Sequence, residues 1–76
     1  MKNQKELILF NDDEHSYDYV RACLIKYCNH TYEQAEQCII IANNAGKVKV
    51  KSSEDFLKLI EIQSNLENRN LKTEII

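Results

Sequence analysis

A single glycine, Gly46, serves a chain of 76 residues. Loops that cradle phosphates are built from several glycines, because only glycine lets the backbone approach a phosphate closely. Nucleotide-binding loops of that kind are therefore excluded. No Ser/His/Asp set and no paired-cysteine motif is present, and His15 and His30 are the only histidines. Both read as surface or capping residues rather than general bases. The chain is expected not to be an enzyme and to take no cofactor. Its three cysteines, Cys23, Cys28 and Cys38, are odd in number and irregularly spaced, so they read as free thiols of a reducing cytoplasm rather than a disulfide framework. Cys28, His30 and Cys38 flank one turn, but a structural zinc site closes on four ligands and the fourth is missing. Cys23 and Cys38 fall on apolar helical faces, where small thiols pack as core. Apolar runs such as residues 39–42 are only a few residues long, against about 20 needed to span a bilayer. No signal-peptide pattern opens the chain, and no membrane partner is expected.

Charge of one sign is also scarce. The net charge is −2, with acids and bases interspersed, and the basic stripe that nucleic acid requires is absent. The one dense run is Asp12, Asp13 and Glu14, followed one helical turn later by Asp18. A charged ligand would thus be a cation. Hydrophobic residues make up 43% and charged residues 29% of the chain, the balance of a folded domain. A chain this short buries about 60% of its unfolded surface, which leaves room for one small core and one domain. Residues 1–5 read as a short polar arm and residues 6–76 as the domain, expected to be monomeric.

Residues 6–10 are an apolar run ended by Asn11-Asp12-Asp13 and predict a buried strand. Ser16 is placed to N-cap a helix in which Val20, Cys23, Leu24 and Tyr27 share one face. Asn29-His30 ends it. Thr31 and Gln34 have capping-box spacing for a second helix, with Ala35, Cys38, Ile39 and Ala42 as its apolar stripe and Gly46 as the residue that stops it. Lys47, Lys49 and Lys51 alternate with Val48 and Val50, predicting a strand with one wet face. Ser53 is expected to cap a third helix to about residue 67, with Phe56, Leu59, Ile60 and Gln63 on its inner face. Residues 68–70 form a turn and 71–76 return as an edge or central strand. The order β-α-α-β-α-β predicts an α+β two-layer sandwich, a three-stranded sheet with three helices on one face.

Asn11-Asp12-Asp13 admits two readings. Asn and Asp favour turns and helix starts, where the helix dipole welcomes acids. Clustered carboxylates and an amide carbonyl also accept the three protons of an ammonium group. The alternating ligands and glycine of a calcium loop are absent.

The run Leu7-Ile8-Leu9-Phe10-Asn11-Asp12-Asp13, then Thr31-x-x-Gln34-Ala35, then Gly46-Lys47, resembles the ClpS family, adaptors of the Clp protease, from about residue 6 to the C-terminus. The resemblance implies that the chain binds N-degrons, substrates whose first residue is Leu, Phe, Tyr or Trp, and delivers them to a ClpA-type AAA+ unfoldase. It assigns the substrate α-ammonium to Asn11 and Asp13, backbone shaping to Asp12, and the side-chain pocket to Val20. The family's amine-contacting His falls on Asn43, its two pocket-gating Met positions on Tyr17 and Ile39, and a pocket-edge Thr on His15. Ile39 serves equally as core. Because β-branched Ile is stiffer than Met, a smaller or choosier pocket is expected. Docking to the unfoldase is expected near Glu54 and Asp55. Two other readings stand beside this one: a related module that docks on the unfoldase without binding N-degrons, and a structural domain of the ribosomal-stalk type, which would want a Lys- and Gly-rich helix that one glycine cannot supply.

Overall fold

The computed structural model describes residues 4–76. Six elements follow in the expected order: β1 (Lys5–Phe10), α1 (Tyr17–Cys28), α2 (Tyr32–Ala45), β2 (Lys47–Ser53), α3 (Phe56–Glu67) and β3 (Thr73–Ile75). β1 is the central strand, antiparallel to β2 on one side and β3 on the other. Leu7 and Leu9 of β1 and Val48 and Val50 of β2 join the helices in one core, as the sandwich expectation requires. Residues 1–3 of the expected arm lie outside the described residues, and Lys5 belongs to β1, opposite Ser53. The C-terminal segment forms an edge strand and not a central one.

Helix ends are set by local chemistry. The Ser16 hydroxyl accepts the Tyr19 N–H, and α1 stops at Asn29, whose φ of 60° is left-handed. At α2 the capping box is complete: Gln34 N–H donates to Thr31 Oγ1 at 3.1 Å and Thr31 N–H to Gln34 Oε1 at 2.9 Å. Gly46 ends α2 with φ +89°, a conformation in which a side chain is strained. Leu24 and Leu59, both 0% exposed, typify a core in which each fully buried aliphatic side chain contributes about 1.5–3 kcal/mol.

Three details depart from expectation. Asp55, not Ser53, caps α3, its carboxylate accepting the Lys58 N–H at 3.2 Å, while the Ser53 hydroxyl accepts the Asp55 N–H at 2.9 Å and turns the chain into the helix. The buried stripe of α3 is Leu59, Ile62 and Leu66, and Phe56 and Ile60 are exposed. Leu59 belongs to both stripes, and packing against the sheet chose the other one. Finally, the β1–β2 register slips between Leu7, opposite Lys51, and Ile8, opposite Lys49. Val50 is the extra residue of a bulge, which places both Val50 and Lys51 on the helix side. Lys51 is therefore half-buried, with its ammonium 3.5 Å from the Cys28 carbonyl, while Lys47 and Lys49 stay on the wet face.

Candidate functional site

Asn11 is the first residue beyond β1, and its backbone is held from both sides. Its N–H donates to the Gly46 carbonyl at 2.8 Å, and the preceding Phe10 N–H donates to the Lys72 carbonyl at 3.0 Å. The one glycine thus ends α2 and, through its carbonyl, fixes that helix end against the acidic turn. Sequence reasoning saw only the first role, since a backbone acceptor leaves no mark in residue type.

Within the turn the three polar residues divide the work. Asn11 Nδ2 donates to Asp13 Oδ1 at 3.3 Å. A carboxylate only accepts, so this bond orients the amide and leaves the Asn11 carbonyl oxygen as an acceptor beside an exposed negative charge. Asp12 is occupied otherwise. Its Oδ1 accepts the N–H groups of Glu14 at 2.7 Å and His15 at 3.2 Å, and its Oδ2 meets His15 Nδ1. The His15 ring in turn stacks on Tyr19, with centroids 4.7 Å apart.

Partial burial works to raise the Asp12 pKa, but the hydrogen bonds from Glu14 and His15 and the His15 charge outweigh it and hold the carboxyl below its ordinary value. A depressed folded pKa stabilises the fold above the unfolded carboxylate value of about 3.9, and the benefit is lost as pH falls through the folded value. The urea midpoint of Asp12→Asn should therefore lie below that of the parent chain at pH 7. The two midpoints should converge near pH 2, and a gap that persists there would rule out ionisation as its source.

Beside the turn lies a notch of about 20 Å³ lined by Leu9, Phe10, Asn11, Asp12, Tyr17, Val20, Ile39 and Ala42. The start of α1 supplies Tyr17 and Val20, one helical turn apart, and the middle of α2 supplies Ile39 and Ala42 at the same spacing. Val20, Ile39 and Ala42 are buried, and Tyr17 is 52% exposed at the rim. Five of the eight residues singled out from sequence meet in this notch, and the eighth, His15, bonded to Asp12 and stacked on Tyr19, does not line it. The sixth, Asp13, is bonded to Asn11 and opens instead onto a shallow depression of about 300 Å³ shared with Asn70 and Lys72. The seventh, Asn43, is exposed on α2 one residue beyond Ala42 and does not line the notch. Ala42 was missed as a wall residue, although its i+3 relation to Ile39 was the available signal.

A second hollow of about 560 Å³ lies where the end of α1 meets α2 and β2, lined among others by Cys28, His30, Cys38 and Lys51. His30 Nε2 is 2.6 Å from the Val50 carbonyl and so carries the proton, and Cys38 Sγ is 3.9 Å from Nδ1. Burial pushes the Cys28 thiol up to about 12, which keeps it protonated and inert. Among the described residues no group of three His, Cys, Asp or Glu side chains is arranged to hold a metal.

The sequence profile described as "ATP-dependent Clp protease adaptor protein ClpS" matches residues 2–71. The chain belongs to the ClpS family. Its fold is that of the structure of Agrobacterium tumefaciens ClpS2 bound to L-phenylalaninamide, with a TM-score of 0.75 over 100% of each chain at 17% identity. No curated protein matches the chain. Family membership makes this protein a ClpS-type adaptor with a Clp protease as its partner, and the ClpS family is one of adaptors rather than enzymes. Among the described residues no helix is long and apolar enough to cross a membrane.

Proposed function

We propose that this ClpS protein binds the N-terminal residue of substrate proteins at the acidic turn and passes them to a ClpA-type AAA+ unfoldase. The observation that carries this reading is the junction of an exposed, oriented Asn11–Asp13 acceptor pair with an apolar-walled notch. The pair would take the substrate ammonium, and the walls from Val20, Ile39 and Ala42 would take the first side chain. The relative of the same fold carries bound phenylalaninamide, a free α-amine beside a large apolar side chain, which supports the reading. Asp12 would shape the loop from within, its oxygens being engaged by Glu14 and His15.

The magnitudes suffice. Burial of a leucine-sized side chain contributes about 1.5–3 kcal/mol, and each hydrogen bond to a charged group about 1.5–3 kcal/mol. Two such bonds and the side chain, less the cost of immobilising a peptide end, give an affinity on the order of micromolar or somewhat weaker. The unfoldase would dock at the start of α3, where Phe56 and Leu57, the latter 76% exposed, stand beside Asp55.

The test is a titration with a leucine-starting peptide and its N-acetylated twin. Binding of the free amine alone supports the proposal, and equal affinity for both removes it. A second reading, a module that docks on the unfoldase without taking N-degrons, draws on the narrowness of the notch and on the absence of Asn43 from its wall. It predicts that neither peptide binds while the unfoldase is retained.

A further inference from the structure

A further groove lies on the side of α1 that faces the α3–β3 turn. Tyr19, Ala22, Cys23, Lys26 and Tyr27 of α1 and Arg69 of the turn line an apolar groove of about 250 Å³. Arg69 is unusual for an exposed arginine in being held from both ends. Its carbonyl accepts the Tyr19 hydroxyl proton at 2.9 Å, and its Nε and Nη2 lie 3.1 and 2.9 Å from the Tyr27 hydroxyl oxygen, to which they donate. These bonds use two of the five guanidinium N–H donors. The guanidinium carbon lies 5.8 Å from the Tyr27 ring centroid, and the Lys26 ammonium lies 5.4 Å from the same centroid. Two cations therefore border one apolar trough. Among the described residues neither makes an ion pair with a carboxylate.

We propose that this groove binds a short acidic segment of a partner protein, one large apolar side chain flanked by carboxylates. The chemistry of the groove selects that occupant. The floor of Ala22 and Cys23 between two tyrosine rings takes an apolar side chain, which alone would be indifferent to charge. Lys26 and the pre-oriented fork of Arg69 supply the discrimination, since a guanidinium held in place meets a carboxylate with two parallel bonds at little further loss of freedom. A cationic segment is repelled, and a neutral one leaves both cations without a partner. The surface does not depend on the amine site: an N-acetylated segment fits it as well as a free one.

The experiment is a titration of the ¹⁵N-labelled full chain with the blocked peptides acetyl-Glu-Phe-Glu-amide and acetyl-Gln-Phe-Gln-amide at low salt. The acidic peptide should shift the amides of Ala22, Cys23, Tyr27 and Arg69 and bind about tenfold more tightly than its neutral twin, with the difference falling as salt rises. Arg69→Gln should erase most of that preference. Because Arg69 also holds its turn, Lys26→Gln, on the exposed side of α1, provides a second reading and should reduce the preference without changing the rest of the spectrum. Equal binding of the two peptides, or shifts confined to Asn11, Tyr17 and Ile39, would overturn the proposal. Peptide-free shifts of the groove amides with rising protein concentration would assign the groove to a second copy of the chain, and would overturn it equally.

Discussion

Removing one carboxylate, in Asp13→Ala, is expected to weaken binding of a leucine-starting peptide about 100-fold and to leave the weak binding of the N-acetylated peptide unchanged. The size follows from two simultaneous losses. Asp13 is an exposed negative charge bonded to the Asn11 side chain, and it receives the Asn11 Nδ2 proton, which orients the acceptor oxygen of that amide. Each hydrogen bond to a charged group is worth about 1.5–3 kcal/mol, and solvent screening at an exposed turn favours the lower end. Two losses near that lower end correspond to roughly two orders of magnitude. Stability should barely move, since an exposed substitution away from caps and core usually shifts it by no more than about 0.5 kcal/mol. Fluorescence anisotropy with both peptides, free and acetylated, on both chains forms a closed cycle. A loss confined to the free-amine peptide locates the ammonium at Asp13. Equal losses for the two peptides would mean general damage, and no loss for either would take Asp13 out of the site.

The second large effect concerns which first residues are accepted. A notch of about 20 Å³ has room for little more than one water molecule, which needs a cavity of about 10–15 Å³, so no leucine side chain enters it without movement of a wall. Val20, Ile39 and Ala42 are buried parts of the core and are close-packed. Tyr17, the first residue of α1 and half-exposed at the rim, is the wall able to swing outward. Truncating it, in Tyr17→Ala, should open the notch and raise affinity for phenylalanine- and tryptophan-starting peptides about tenfold, the equivalent of about 50–60 Å² of additional apolar burial. Leucine-starting peptides should gain much less. Parallel titrations with the three peptides read the ratio directly. Affinities that all change together, or not at all, would show that Tyr17 does not set the size of the pocket.

The Asp13 and Tyr17 predictions rest on features that became visible at different levels. The helix caps were legible residue by residue: Ser16, Thr31 with Gln34, and Gly46 each act within a few positions of themselves, so spacing alone defines them. The acidic turn was legible for the same reason, and the likeness to an adaptor family rested on that turn together with Thr31, Gln34, Ala35 and Gly46-Lys47 at their spacing along the chain. The inner face of α3 was not, because Phe56, Leu57, Leu59, Ile60, Ile62 and Leu66 allow two apolar stripes that share Leu59. Only contact with the sheet turned Leu59, Ile62 and Leu66 inward. Strict alternation likewise put Lys51 on the wet face, and a bulge at Val50, set by pairing with β1, turned it toward Cys28.

The order of elements, the caps of α1 and α2, the core faces of α1 and most of α2, and the polar triad at Asn11–Asp13 were thus determined by the amino-acid sequence, because each depends on periodicity or on bonds that reach only a few residues. Which distant side chains share a cavity was decided by the tertiary structure. Ala42, and not Asn43, joins Ile39, Val20 and Tyr17 beside the turn, since the roll of α2 against β1 and α1 is fixed by packing across the whole core and by the bond from the Asn11 N–H to the Gly46 carbonyl. Arg69 was brought over Tyr27, 42 positions away in the chain, by the same long-range packing, which no local pattern encodes.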